Sequence, residues 1–185
     1  MKKGYYIILG ILISVALSSC TNDQKDSKEV YNQKANEIIV QVIKESNCDC
    51  LLEIPRESLI ETSLAENPSY DIRSSLVKEL NTQNNASLDS LVNVSKDFRL
   101  DTNLIQKTSV KIVTLENLRS AKKDNGNEIL KMCPKGILCI NKPIFNKTFQ
   151  KAVLNHGFAF TCTVVLPFPT YEFKKDKWER VKRKN

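Results

Sequence analysis

The apolar residues of this chain change their spacing at about residue 108. Before that point they recur every three or four residues, as on one face of a helix, and after it they form short runs that favour strands. Helices first and strands last predict an α+β domain, with N-terminal helices packed on a C-terminal antiparallel β-sheet. We expect this single domain to span residues 29–185.

The strongest helical pattern runs from Glu29 to Ser46. Its apolar residues form one stripe: Val30, Tyr31, Ala35, Ile38, Ile39, Val42 and Ile43. Ser27 is a plausible N-cap, and Asn47 with the following Cys-Asp-Cys turn ends the helix. We expect the stripe to pack against the sheet, and docking of a partner helix is the alternative.

Shorter segments complete the prediction. Further helices are expected within Glu57–Leu64, Ser74–Leu80, Ser87–Phe98 and Leu115–Ala121. Strands are expected around Val110–Val113 and at Gly136–Ile140, with one long buried strand over Gln150–Val165 and a hairpin joining Tyr171–Phe173 to Trp178–Val181. Leu51–Ile54 is a short apolar stretch that Pro55 stops.

The first twenty residues have the anatomy of an export signal. Lys2 and Lys3 precede thirteen uncharged residues, Tyr5 to Leu17, and the small residues Ser18 and Ser19 follow. A membrane-spanning helix needs about 20 apolar residues, so this run is too short to cross a bilayer. Two other interpretations of these residues stay open. They could form an uncleaved N-terminal anchor, or a plain signal peptide in which Cys20 occurs by chance.

Leu17-Ser18-Ser19-Cys20 resembles the lipobox of bacterial lipoproteins at all four positions. The resemblance implies cleavage between Ser19 and Cys20, a thioether-linked diacylglycerol on Cys20, and usually a further acyl chain on the new amino terminus. Two or more chains give stable anchoring, whereas one is marginal. The implied partner is therefore a membrane, reached through the N-terminal lipid.

Residues 20–28 should form a tether. Thr21 to Lys28 contains four charged residues and no apolar side chain. Such a segment cannot bury enough surface to offset its chain entropy, so we expect it to be disordered. Removal of residues 1–19 leaves 166 residues, enough for one domain with a real core.

The net charge of +7 is not a property of the predicted domain surface. Two of the cations lie in the signal, and residues 174–184 hold seven Lys or Arg against two acids. Residues 20–173 sum to zero. A nucleic-acid-binding domain would carry a basic stripe on its fold, so we exclude nucleic acid as a partner. Attraction of the basic tail to anionic lipid or polysaccharide stays open, beside a solvated edge strand protected by its lysines.

Five cysteines follow Cys20: Cys48, Cys50, Cys133, Cys139 and Cys162. Disulfides are the default expectation in an exported protein. Because five is an odd number of cysteines, at least one thiol must be free or paired between molecules. The short loop between Cys133 and Cys139 allows a bridge between them. A second bridge, from Cys48 or Cys50 to Cys162, would tie the first helix to the sheet.

Metal and thiol chemistry fit the cysteine spacing poorly. Structural zinc sites use paired cysteines separated by two to four residues, and here the gaps are one and five residues. The C-x-x-C motif of thiol oxidoreductases is absent from the sequence. We therefore predict no metal site and no cofactor.

His156 is the only histidine, so a Ser-His-Asp or Cys-His hydrolase would have to use it. Its place inside a predicted strand favours a local structural role. The sequence lacks G-x-S-x-G, a P-loop, a dinucleotide fingerprint and H-E-x-x-H. A catalytic carboxylate pair on a concave face is the other hydrolase arrangement that stays open. We assign no catalytic residue.

The C-terminal half resembles a group of small uncharacterised lipoproteins and exported proteins of the Bacteroidetes. The residues that carry the resemblance are KIVTLENL (111–118), NKPIFNKTFQKAVLNHGFAF (141–160) and YEFKKDKWERVK (171–182). That group ends in a strand, an FNK segment, a further strand and a hairpin with Lys-Trp. This chain lacks the glycine-rich Cys-Gly segment that they often carry. The resemblance implies fold and location, and no activity.

These observations predict a lipid-anchored protein of the bacterial cell envelope, at the outer membrane, that acts by binding or as part of an envelope assembly. Its protein or glycan partner is not specified by the sequence. The alternative is an envelope hydrolase that uses His156 or scattered carboxylates. A thiol-based or metal-binding protein is the third hypothesis.

Overall fold

A computed structural model of the chain describes residues 26–121, 127–159 and 169–181. The helices are α1 (residues 26–45), α2 (Leu59–Glu66), α3 (Ile72–Leu80), α4 (Asn85–Val94), α5 (Thr102–Gln106), α6 (Leu115–Ala121) and α7 (Asn127–Met132), with a 3-10 turn at Ser95–Asp97. The strands are β1 (Cys50–Leu52), β2 (Lys111–Val113), β3 (Ile137–Ile140), β4 (Ile144–Phe145), β5 (Lys151–Val153), β6 (His156–Ala159), β7 (Thr170–Lys174) and β8 (Lys177–Arg180). The predicted α+β class is confirmed.

Helix α1 buries the stripe that its sequence predicts. Six of the seven stripe residues are buried, and Val30, at 39% exposure, lies at the edge. The predicted N-cap at Ser27 is wrong, because residues 26 and 27 are already helical. Residues 26–28, which we predicted as the end of the tether, therefore belong to the folded part, and Lys28 forms an ion pair with Asp97 at 2.5 Å.

Helices α2 to α4 each begin at a polar cap. Ser58 and Glu61 form a capping box at α2, with each side chain accepting a hydrogen bond from the other residue's backbone N–H. The Asp71 carboxylate accepts from the Ser74 N–H at α3, and the Asn84 side chain accepts from the Ser87 N–H at α4. These caps fix where three short helices start in a region whose apolar pattern is weak.

The first sheet is mixed and has the order β2-β1-β3-β6. Strand β1 pairs in parallel with both β2 and β3, and β3 pairs antiparallel with β6. We did not predict this parallel pairing. Parallel strands need long crossover connections, and here α2 to α5 link β1 to β2.

The second sheet is the predicted antiparallel one, in the order β4-β5-β7-β8. The predicted hairpin is confirmed as β7 and β8, with Phe173 opposite Trp178. Its two turn residues, Lys175 and Asp176, have φ of 49° and 61°. Positive φ at both central residues is the geometry of a type I′ turn, which matches the twist of the flanking strands.

The single long strand predicted over Gln150–Val165 is wrong within the described residues. The chain leaves the second sheet after β5 and enters the first sheet as β6, opposite β3. Leu154 and Asn155 make this transfer, and the Asn141 N–H donates to the Asn155 carbonyl at 3.0 Å. An apolar run cannot show by periodicity alone that its two halves pair with different sheets.

Three apolar clusters hold the layers together. The largest joins α1 to one face of each sheet, through Leu138 on β3 and Tyr171 on β7 among others. A second packs α2, α3 and α4 against the opposite face of the antiparallel sheet, and a third packs α6 and α7 against the opposite face of the mixed sheet. Helix α1 is thus shared by both sheets.

Candidate functional site

Cys50 and Cys133 pair with each other and not with the partners that we predicted for them. Cys133 forms a disulfide with Cys50, with 5.7 Å between their Cα atoms, and Cys139 is a free thiol. The predicted Cys133–Cys139 and Cys50–Cys162 bridges are therefore wrong. The reason is the parallel pairing of β1 with β3, which places Cys50 opposite Ile137 and beside the turn after α7.

Cys48 is also disulfide-bonded. Its partner lies outside the described residues, as do Ser19, Cys20 and Cys162. The bridge from Cys48 to Cys162 stays a prediction.

The free Cys139 thiol is not arranged for redox chemistry. It is half-buried on β3 and packs against the cluster beneath α6 and α7. Burial raises the pKa of this thiol, which disfavours the reactive thiolate. Within the described ranges, no group of three or more His, Cys, Asp or Glu is placed to hold a metal ion. Among the same residues no helix is both long and apolar enough to traverse a bilayer.

His156 begins β6 and lies opposite Ile140 in the first sheet. Its backbone position follows the transfer between sheets, so it does not lie in the middle of one long strand as predicted. For His156 the structure describes the backbone alone.

One cleft does contain two carboxylates. Glu61 and Asp89 line a cavity of about 480 Å³ between α2, α3 and α4. Each carboxylate has a partner that also lines the cleft: Glu61 accepts from the Ser58 N–H at 2.6 Å, and Asp89 accepts from the Arg73 guanidinium at 2.8 Å. The hydrogen bond from Ser58 lowers the pKa of Glu61. A general acid for glycoside cleavage needs a raised pKa, so this cleft lacks that arrangement.

Another cleft has a volume of about 650 Å³ and lies between α3, α4 and the turn after β4. Amide and hydroxyl side chains dominate its lining, and Lys147 is its one charged lining residue. The buried Thr82 hydroxyl lacks a hydrogen-bond partner within the described chain. Asn81 and Phe149, at opposite sides of the cleft, have φ of 54°. Among the described residues that line it there is no carboxylate, histidine or cysteine.

The cleft with the most distinctive chemistry includes the buried Lys142 in its lining and measures about 440 Å³. We call it the Lys142 cleft; its lining consists of Glu53, Ile54, Pro55, Arg56, Lys96, Phe98, Leu100, Ile112 and Lys142. Three of these residues are cationic and five are apolar. It lies where the segment after β1 meets the segment after the 3-10 turn.

Lys142 is only 6% exposed, which is unusual for a lysine. It lies between β3 and β4, and the next residue, Pro143, accepts a hydrogen bond at 2.8 Å from the buried Tyr31 hydroxyl. The Lys142 ammonium donates to the carbonyl of Arg56. Burial lowers the pKa of Lys142, and attraction to Glu61, Glu57 and Asp97 partly opposes that effect.

The other two cations of the Lys142 cleft are exposed and available. Within the part of the chain that the structure describes, the side chains of Arg56 and Lys96 form no hydrogen bond and no ion pair. Glu53, the acidic lining residue, accepts a hydrogen bond at 3.0 Å from the Leu115 N–H at the start of α6. The lining of the cleft therefore holds three cations against one carboxylate, beside an apolar floor of five residues.

Two asparagines of α1 position one wall of the Lys142 cleft. Asn32 accepts from the Arg99 N–H at 2.8 Å. Asn36, which is 5% exposed, donates to the Arg99 carbonyl and accepts from the Asp101 N–H at 2.7 Å. The two side chains thus pair with backbone N–H and C=O groups, as a neighbouring strand would. They hold in place the backbone segment that carries Phe98 and Leu100.

The sequence held one signal for this cleft that we did not use. Lys142, next to Asn141, stands between the apolar residues of β3 and β4, where a buried cation has to find a partner. Arg56, Lys96 and Lys142 are far apart in sequence, so only the fold shows that they converge. Comparison with protein-family models, with curated proteins and with solved structures finds no match to this chain.

Proposed function

We propose that this chain is a lipid-anchored protein of the bacterial cell envelope, located at the outer membrane, that binds a ligand in the Lys142 cleft. The observation that carries the binding function is the convergence of Arg56, Lys96 and the buried Lys142 on one apolar floor. Ligand sites are typically concave, largely apolar and supplied with a few polar groups, as this one is.

The anchor rests on the sequence Leu17-Ser18-Ser19-Cys20 behind an uncharged run of thirteen residues. A diacylglycerol on Cys20 and an acyl chain on its amino group would give the two or more chains that stable membrane binding needs. Cleavage at Ser19 would make Cys20 the first residue of the mature protein.

A binding role is favoured over hydrolysis by the state of the carboxylates. Glu61 and Asp89 share a cleft, but each is held by a structural partner. Binding in the Lys142 cleft needs no catalytic group, because its cations can recognise an anion directly.

Metabolic labelling with palmitate tests the anchor. The wild-type chain should incorporate label and partition into detergent, and Cys20→Ala should do neither. Cys139→Ala is the matched control and should label as wild type. Equal labelling of wild type and Cys20→Ala, or a native protein that begins at Met1, would contradict the proposal.

A further inference from the structure

We propose that the Lys142 cleft binds the phosphate group of an anionic membrane lipid, with the adjoining apolar part of that lipid against Ile54, Phe98 and Leu100. This inference deepens the proposed function, because it names the ligand class of the same cleft. An anionic lipid would pair with the cations of the lining and also cover its apolar residues. An inorganic anion would do only the first, and a hydrocarbon only the second.

The cationic side of the cleft matches a phosphate. Arg56 offers a planar fork of donors that suits phosphate oxygens, and Lys96 offers a mobile point charge. Lys142 has an ammonium with three donors, of which one is used by the Arg56 carbonyl. At 6% exposure it gains little hydration, so an anion in the cleft would supply the missing partners.

Among the lining residues one carboxylate, Glu53, stands against three cations, and Glu61 and Asp97 attract Lys142 from outside the lining. Glu53 holds the Leu115 N–H, Glu61 holds the Ser58 N–H, and Asp97 holds Lys28 at 2.5 Å. Glu57 attracts Lys142 at longer range but does not line the cleft. The Arg56 and Lys96 side chains remain without ionic partners in the described chain.

The apolar side of the cleft favours an amphiphile over free phosphate. Ile54, Phe98 and Leu100 are half-buried, and Ile112 is 42% exposed at the edge strand of the mixed sheet. Covering this surface would remove apolar area from water, which favours binding. Inorganic phosphate would leave it uncovered.

The position of the cleft points to the membrane as the source of the ligand. The Lys28–Asp97 ion pair and the hydrogen bond from Arg99 to Asn32 attach the cleft wall to the first two turns of α1. Cys20 precedes residue 26 by six residues. Six residues span at most about 20 Å, so a lipid on Cys20 would keep this end of α1 close to the bilayer.

Calorimetric titration of the full chain in dodecyl maltoside micelles tests the inference. The probes are dioctanoyl phosphatidic acid, dioctanoyl glycerol and inorganic phosphate. We expect saturable binding of the phosphatidic acid, no binding of dioctanoyl glycerol, and at least about tenfold weaker binding of inorganic phosphate.

Variants then locate the site. Arg56→Gln, Lys96→Gln and Lys142→Met should each weaken binding of the phosphatidic acid by about tenfold. Arg56 and Lys96 are exposed, so their replacement leaves the fold intact even if Lys142→Met does not fold. Lys147→Gln removes the same charge from the 650 Å³ cleft between α3 and α4 and should bind as wild type.

Several results would overturn the inference. Absence of saturable binding would do so, and so would equal affinity for inorganic phosphate. An equal loss of affinity in Lys147→Gln and Lys96→Gln would show general charge attraction. Titration of the Cys20→Ala chain separates the two proposals, since an intact Lys142 cleft should bind the probe whether or not residue 20 carries lipid.

Discussion

The Gln41 side chain on α1 forms two hydrogen bonds with the backbone of Trp178 on β8. Its Nε2 donates to the Trp178 carbonyl, and its Oε1 accepts from the Trp178 N–H at 3.1 Å. Strand β8 is the edge of the antiparallel sheet. A single amide therefore does what a neighbouring strand would do, and it satisfies backbone groups that could otherwise pair with another chain.

Replacing Gln41 with Ala should destabilise the fold by about 1–3 kcal/mol, because two partly buried backbone groups lose their partners. Urea unfolding of the full chain measures the effect. Gln33→Ala is the matched control, since the exposed Gln33 side chain donates to the Glu37 side chain on the same helix and, among the described residues, to no backbone group. Equal stability of the two variants would contradict this role for Gln41.

Asn36 should be the most sensitive polar residue of α1. Asn36→Ala removes the bonds to Arg99 and Asp101 and leaves partly buried backbone groups without these partners, so we expect a loss of about 2–4 kcal/mol. Because those bonds also hold one wall of the Lys142 cleft, ligand affinity should fall as well. Asn93→Ala, at an exposed position on α4, should change neither quantity.

The Cys50–Cys133 bond closes a separation of 83 residues. Long loops gain most from cross-linking in the chain-entropy account, so the double variant Cys50→Ala/Cys133→Ala should lose about 2–5 kcal/mol of stability. Cys139→Ala, which removes the free thiol, should cost less than about 1 kcal/mol. Denaturant unfolding of both variants without reductant provides the comparison.

Alkylation without reductant should distinguish the cysteines. Cys139 should react slowly in the folded protein, because burial raises the pKa of its thiol, and quickly once the chain is denatured. Cys48, Cys50 and Cys133 should stay unlabelled in both states, and peptide mapping should link Cys48 to Cys162. Labelling of Cys133 in the denatured, unreduced chain would contradict the described pairing.

The buried tyrosines predict loss of stability in alkali. Burial raises the pKa of Tyr171 from its ordinary value of 10.0 to about 12, and burial also raises the pKa of Tyr31. Above pH 10 the unfolded chain releases these protons while the folded chain keeps them. Stability is therefore complete below pH 10 and falls as pH rises through about 12.

Urea midpoints measured at pH 9, 10 and 11 test this direction. Tyr171→Phe should lose less stability over that interval than wild type, and Tyr70→Phe, at an exposed position, should follow wild type. An absorbance titration of tyrosine should place ionisation of the buried pair at the unfolding transition. A midpoint that does not change from pH 9 to 11 would refute the linkage.

Local sequence signals predicted the elements that depend on local chemistry. The α1 stripe, the Leu115–Ala121 helix and the β7–β8 hairpin each follow from spacing and turn residues within the segment itself. The prediction failed where pairing is set by distant residues. Leu51–Ile54 has too few residues to show a period, yet it supplies β1, the strand that pairs on both sides in the mixed sheet.

The difference between local signals and long-range pairing also explains why we mispredicted the disulfides and missed the Lys142 cleft. A short loop made Cys133 and Cys139 look paired, but the parallel neighbour β1 brings Cys50 to Cys133 from 83 residues away. Arg56, Lys96 and Lys142 likewise meet only because β1, the 3-10 turn and the β3–β4 connection converge. Residue chemistry alone therefore predicted the kinds of groups present, and the fold determined which of them meet.

The sharing of α1 by both sheets has a mechanical consequence. A pull on the N-terminal end of α1 acts along a helix whose buried stripe contacts β3 and β7 at once. Such a load would have to shear the helix out of the common core in one step, whereas a load on an edge hairpin could unzip it pair by pair. A load applied through the proposed anchor would therefore act on the element that both sheets share.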